Sequence, residues 1–240
     1  MKRTLLLFFL CIAAIKLQAQ MEENTKIYFS TALAMHLPEY DEKAKLAYWD
    51  KDYRQATSLF ENFVDQYLKG TYIDNFKFLN LKNREVSLYS FKKPVYLLTY
   101  ASWCVPGKGE IPALNELAYK YKDSIDFVVV FWDTRDTAKQ LSEQFQKSIQ
   151  VLYVDETQNK HDFVLRKLKH SLGLPTCYLI AGNRQIIDVR RSVFHPYHIS
   201  EEKSFKMNYE AIEAAISEII SERKSSEIKF DNLEDASAPD

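Results

Sequence analysis

Two apolar runs constrain this chain more than any other feature: Pro94-Val95-Tyr96-Leu97-Leu98-Thr99-Tyr100 and residues 125–132. The first shows no strict alternation of apolar and polar side chains, so it reads as a central strand covered on both faces, and the second reads as its partner. Between them Ile111, Leu114, Leu117, Ala118 and Tyr121 recur at the spacing of one helix face, which predicts a helix over about 108–122. A chain that follows a buried strand with an amphipathic helix and a second buried strand must wrap helices over a sheet. Residues 176–181 and 185–191 form a further hairpin around Gly182-Asn183, a favourable turn pair, before an amphipathic helix over 209–220. These elements describe a small α/β sandwich.

The flanks complete that plan. Phe76, Phe78 and Leu81, then Val86, Leu88 and Tyr89, predict a β-hairpin turned at Lys82-Asn83-Arg84. Asp133-Thr134-Arg135-Asp136 opens a helix towards Phe145, with Asp133, Asp136 and Asp155 read as capping residues. A short strand is predicted over 151–154 and a short helix over 163–172. Residues 24–69 read as helical, with Tyr53, Ala56, Leu59, Phe60, Phe63, Val64 and Tyr67 packing as one stripe against the following domain. Gly70 and Thr71 end that run. Residues 224–240 are polar and acidic and are expected to fray.

Composition removes several functions. Lys plus Arg total 32 against 33 Asp plus Glu, so no basic excess points to nucleic acid. There are 5 glycines and neither GxGxxG nor GxxxxGK, which excludes nucleotide binding through those loops. His195 and His198 are closely spaced but have no third or fourth ligand in reach of the pattern, so they read as a surface loop and not a metal site. Arg166, Lys167, Lys169 and His170 read as the solvated face of a helix.

Lys2 and Arg3 precede an apolar run over 5–15, and Ala19 supplies a small residue for cleavage. This reads as a secretory leader over 1–19, too short to span a bilayer comfortably. No other run approaches membrane length, so the mature protein is expected to be extracytoplasmic, periplasmic or secreted, with no membrane span. Cleavage removes Cys11 and leaves Cys104 and Cys177, which could form one bond or stay apart.

Cys104 lies within Ala101-Ser102-Trp103-Cys104-Val105-Pro106-Gly107-Lys108-Gly109-Glu110-Ile111-Pro112, where a central strand ends and a helix begins. A cysteine there meets unpaired N–H groups and the positive end of a helix dipole, which favour thiolate over thiol. Pro106 suits a helix start, and Lys108 adds a nearby positive charge. These are the ingredients of a nucleophilic sulfur. The alternative is a small buried side chain that happens to end a strand.

The segment resembles the thioredoxin-like superfamily, and within it the secreted TlpA/ResA type of thiol–disulfide oxidoreductase. Members carry Trp-Cys-x-Pro-Cys at this junction, then commonly a basic residue and Glu-Met-Pro. Trp103 and Cys104 match the first half of that pattern, and Lys108, Glu110, Ile111 and Pro112 match the second. The 76–88 hairpin resembles the family's first strands, and Gly173-Leu174-Pro175-Thr176 resembles its Gly-x-Pro-Thr. The resemblance covers about residues 71–222. It implies a thioredoxin-like domain with a central mixed sheet flanked by helices, preceded by a helical extension over 20–70 and followed by a polar acidic tail over 223–240. It also implies that Pro175 is the cis-proline lying against Cys104, with Trp103, Pro106, Gly107, Lys108, Leu174 and Thr176 shaping the site. No cofactor is implied, and the partners would be protein or small-molecule thiols and disulfides.

The departures from the family matter equally. Gly107 occupies the second cysteine's position, which rules out a dithiol cycle within the motif. Leu98 stands where thioredoxin carries a buried carboxylate that assists proton transfer. Three readings stay open. Cys104 acts alone, with an external thiol resolving the mixed disulfide; or the fold is retained without redox chemistry, as a binding or structural module; or Cys177, two residues past Pro175, serves as the resolving thiol, which would require Cα atoms within roughly 7 Å.

Overall fold

The structure, a computed structural model, describes residues 26–158, 162–193 and 198–235. The segment expected to be a secretory leader and His195 lie outside the described residues. Seven strands form one sheet: β1 (Lys77–Asn80), β2 (Glu85–Ser87), β3 (Val95–Tyr100), β4 (Asp126–Phe131), β5 (Ile149–Tyr153), β6 (Thr176–Ile180) and β7 (Ile186–Arg191), in the order β2-β1-β5-β4-β3-β6-β7. β3 and β5 run parallel to β4, while β6 is antiparallel to β3 and β7 to β6, so the sheet is mixed. β3 is buried along its whole length, as its unbroken apolar run requires. Asn83 takes the left-handed turn position of the first hairpin, at φ 59°, and Asn80 holds the turn by accepting from the N–H groups of Lys82 and Arg84.

The helices lie on both faces. They are α1 (Phe29–Trp49), α2 (Tyr53–Phe63), α3 (Glu110–Tyr121), α4 (Arg135–Ser142), α5 (Asp162–Val164) and α6 (Glu201–Asp235). Alternate side chains of β3 and β4 feed two cores. Tyr96, Leu98, Phe127 and Val129 pack with Leu114 and Leu117 of α3 and Ile212 and Ile216 of α6. Val95, Leu97, Val128 and Val130 share the opposite core with Phe29 and Leu33 of α1 and Phe60 and Phe63 of α2. The helical extension is therefore continuous with the core of the sheet. The whole is the expected α/β thioredoxin-like fold, a mixed sheet flanked by helices with an N-terminal helical extension.

Two readings at the ends of the chain are corrected by the structure. The run over 24–69 is two helices, broken where Lys51 adopts φ 57° and Asp52 caps α2 by accepting from the Gln55 N–H at 2.9 Å. α2 then ends in a π turn, Val64–Leu68, and Gly70 stops it at φ 79°. Within the predicted stripe Tyr53 is 66% exposed and not part of the core. The final helix is far longer than 209–220, and it includes residues expected to fray. Its polar first turns mislead because Ser204 and Asn208 are buried there, with the Asn208 amide donating to the Ser204 carbonyl at 2.8 Å. Those turns rest on Gly109, where a Cβ atom would lie 2.1 Å from the Phe205 nitrogen.

Candidate functional site at the end of the central strand

Past Tyr100 the chain leaves the sheet in a tight turn, closed by the Cys104 N–H donating to the Ala101 carbonyl at 2.9 Å. Asp133, just beyond β4, clasps that turn: its carboxylate accepts from the Ser102 N–H at 2.8 Å and from the Ser102 hydroxyl at 2.5 Å. Asp133 is thus more than a capping residue; Thr134 caps α4 instead. Cys104 is half-buried and touches both cores, while Trp103 and Val105 on either side are 67% and 89% exposed. A small cleft of about 60 Å³ beside the thiol is lined by Tyr100, Pro106, Ile111 and Phe145. The sulfur therefore sits at the floor of an apolar rim.

Below the loop lies a buried carboxylate, Glu110. Its Oε1 accepts from the Tyr100 hydroxyl and from the Ser192 hydroxyl at 3.2 Å, and its Oε2 accepts from the Gly107 N–H at 3.1 Å. One side chain so ties β3, the Cys104 loop and the end of β7 together. Sequence reasoning used Glu110 only as part of a motif, because its three partners come from separate parts of the chain. The position expected to carry a buried acid, Leu98, is apolar, but the site does not lack a buried acid.

Two features expected to favour the thiolate do not operate. α3 begins at Glu110, six residues after Cys104 and later than the predicted 108, so neither Cys104 nor Pro106 stands on its first turn. Lys108 is exposed, and the cation acting on Cys104 is Lys169, whose side chain is 10% exposed and bound to Glu156 at 2.5 Å. The sequence places Lys169 on a solvated face; the fold encloses it. Burial pushes the Cys104 thiol up, and the backbone hydrogen bond with Ala101 pulls it back only in part. The carboxylates of Asp133 and Glu110 then raise it further, against the weaker pull of Lys169.

The second motif lies at the same end of the sheet. Thr176 pairs in register with Thr99, one residue short of the end of β3, and the Thr99 hydroxyl donates to its carbonyl at 3.0 Å. The Leu174–Pro175 peptide bond is cis, and both residues are half-buried. Leu174 and Cys104 pack against the same core. Cys177 does not fit a resolving role. It stands opposite Leu98 in the α3/α6 core, beside the Tyr96 hydroxyl, where burial pushes its thiol up to about 12, and both cysteines are free. A thiol so rarely ionised and so enclosed is a core side chain. Among the described residues no three His, Cys, Asp or Glu side chains gather as metal ligands.

The chain is similar to several known proteins, and one sequence model assigns its family. The thiol-disulfide oxidoreductase ResA of Bacillus thuringiensis subsp. konkukian is 29% identical over 121 residues, covering 49% of this chain and 66% of that protein. The ResA of Bacillus cereus matches to the same extent, so the chain spans just under two thirds of these curated relatives. The thioredoxin domain of a thiol-disulfide oxidoreductase from Bacteroides vulgatus shares 19% identity at a TM-score of 0.47, over 61% of this chain and 96% of that one. A thiol:disulfide interchange protein from Bacteroides sp. shares 22% at 0.43, over 51% and 80%. The sequence model of the AhpC/TSA family matches residues 70–189, from the end of the helical extension into β7, and the chain belongs to that family within the thioredoxin-like superfamily.

Proposed function

We infer that this is an extracytoplasmic, ResA-like protein that exchanges thiols and disulfides through Cys104 alone. The observation that carries the reading is the contrast at the motif: Cys104 is accessible at an apolar rim, and Gly107 leaves no partner beside it. In the first step Cys104 gives up its proton and its thiolate attacks one sulfur of a substrate disulfide. The substrate S–S bond breaks, a mixed disulfide forms on Cys104, and the departing thiolate takes up a proton. An external thiolate then attacks the mixed disulfide at the substrate sulfur, which frees Cys104 and leaves a new disulfide in solution. Trp103, Val105 and the turn at Leu174 and Pro175 form the surface against which the substrate rests, while Thr176 is buried behind it and pins the turn by donating its hydroxyl to the Gly173 carbonyl. The exchange unit spans 71–222, with the leader over 1–19 directing export, the 20–70 extension ahead of it and the tail over 223–240. Among the described residues no helix is long and apolar enough to cross a membrane.

A thiol held above its ordinary value is a small fraction thiolate at neutral pH, so turnover is slow there and rises with pH. That same observation favours a second reading, a binding module on a thioredoxin-like fold with no exchange chemistry. Turnover of hydroxyethyl disulfide with glutathione as the resolving thiol separates the two. Activity above background that is lost in Cys104→Ser supports exchange, and background rates at pH 7 and pH 9 leave the binding module. Gly107→Cys should add a dithiol cycle, with disulfide reduction at least about tenfold above the parent. No gain would mean that the groove has diverged along with the cysteine.

A further inference from the structure

The size and lining of the cleft beside Cys104 restrict what can enter it. At about 60 Å³ it is far short of the roughly 300–1,000 Å³ that holds a whole small-molecule ligand, and it has room for a few carbon atoms. One wall is a run of rings, with Tyr100 and Phe131 6.3 Å apart and Phe131 and Phe145 6.0 Å apart between centres. Pro106, Ile111 and Leu141 complete the apolar lining. Among the described residues no charged side chain lines the cleft. Its hydroxyls are already committed, with Tyr100 donating to Glu110 and Ser102 donating to Asp133 at 2.5 Å. A charged group entering it would give up water with no partner in return, whereas an aliphatic group gains by leaving water.

Position matters as much as lining. Cys104 packs against both cores: Leu174 shares one of them with it, and Leu141 and Phe145 share the other. The sheet separates those cores, so the cleft and the Leu174–Pro175 turn lie on opposite sides of the sulfur. A polypeptide that rests on the turn and presents a sulfur to Cys104 brings a neighbouring residue to the cleft. The carboxylates of Asp133 and Glu110 act on the same sulfur, so an acidic neighbour is repelled as well as stripped of water. Gln144 stands in the lining as an exposed residue, with its backbone fixed by the Asn115 amide, which donates to the Gln144 carbonyl at 2.8 Å.

We propose that the cleft is a subsite for an aliphatic side chain, of about the size of Val or Leu, next to the sulfur of the polypeptide that reacts with Cys104. Leu141, Gln144 and Phe145 set that preference. The proposal rests on the thiol-exchange reading in taking a polypeptide disulfide as the substrate, and it names the residue that such a substrate carries beside the bond. The preference of the cleft itself is measurable without exchange.

The test takes the folded chain without residues 1–19 and the symmetric disulfides of blocked tripeptides in which Leu, Ala, Glu or Lys flanks a central Cys on both sides. The Cys104 thiolate attacks one peptide sulfur, the peptide S–S bond breaks and the released thiolate takes up a proton, so intact mass reads one peptide on Cys104. Rates are taken relative to 2-mercaptoethanol on the same disulfide, which cancels the reactivity of the peptide itself. The Leu peptide should react about tenfold faster than the Ala peptide, the scale of two methylene groups withdrawn from water, and faster than either charged peptide. Leu141→Ala should bring that ratio down to about two. If Leu141→Ala lowers the melting temperature, Gln144→Glu, at an exposed position, must cut the ratio about threefold in its place. Iodoacetyl-leucinamide and iodoacetyl-alaninamide, whose capture by the thiolate releases iodide and needs no disulfide, should show the same order. Equal rates for the Leu and Ala peptides, a charged peptide as fast as the Leu peptide, or a preference untouched by both variants would overturn the proposal and leave the exchange reading standing. The iodoacetyl preference without any disulfide exchange would uphold the subsite and sink the exchange reading alone. A Cys104 that labels only after unfolding would overturn both.

Discussion

Cys104 and Cys177 flank the same end of the central strand, and burial raises both thiols, yet they occupy opposite situations. Cys104 comes just after the strand's last residues, where the chain has left the ladder and the sulfur meets an open rim. Cys177 is the second residue of β6, inside the ladder and beneath two helices. Burial is the first cause for both, and carboxylates add to each, Asp188 and Glu110 at Cys177 and Asp133 and Glu110 at Cys104. The difference lies in enclosure: Cys177 is buried in the core, whereas Cys104 is only half-buried, beside a turn that Asp133 holds from the surface. A thiol at a strand end is therefore tunable, whereas a thiol within the strand is fixed by the core.

The sharpest break in that comparison comes from deleting each sulfur. Cys104→Ser should abolish native-state alkylation by iodoacetamide entirely, and Cys177→Ala should leave the rate unchanged; labelling of Cys177 before unfolding would undo the distinction. Next in size is Gly109→Ala. The added methyl group would overlap the Phe205 backbone, so α6 or the Cys104 loop must shift, at about 1–3 kcal/mol in a denaturant melt. A neutral result would mean that α6 does not hold the loop. The smallest effect is Asp133→Asn. Removing a negative charge favours the thiolate, so the Cys104 pKa should fall and alkylation at pH 7 should speed about threefold. The parent rate should rise roughly tenfold per pH unit and level off only above the ordinary thiol range, because burial and the two carboxylates hold this thiol up.

The parts of the molecule legible in the sequence are those fixed by local pattern. The apolar runs of β3 and β4 and the Asn83 and Gly182-Asn183 turns place the sheet, and the Cys104 motif places the reactive end. What stayed hidden depends on partners far apart in the chain. Glu110 gains its role from Tyr100, Gly107 and Ser192, and Asp133 gains its role from Ser102. Lys169 looked like a solvated charge because the pocket that encloses it is not written in its own helix. The apolar stripe marks α6 only from 209 because Ser204 and Asn208 are polar, and only contact with the loop at Gly109 accounts for their burial.

The most direct test of a single working thiol is intact mass of the folded chain without residues 1–19, and so without Cys11, after incubation with glutathione disulfide at pH 8.5. The expected result is one glutathione adduct, mapped to Cys104, removed by excess thiol, present in Cys177→Ala and absent in Cys104→Ser. An unmodified chain that reacts only after unfolding, or a loss of two mass units from a bond between Cys104 and Cys177, would contradict it.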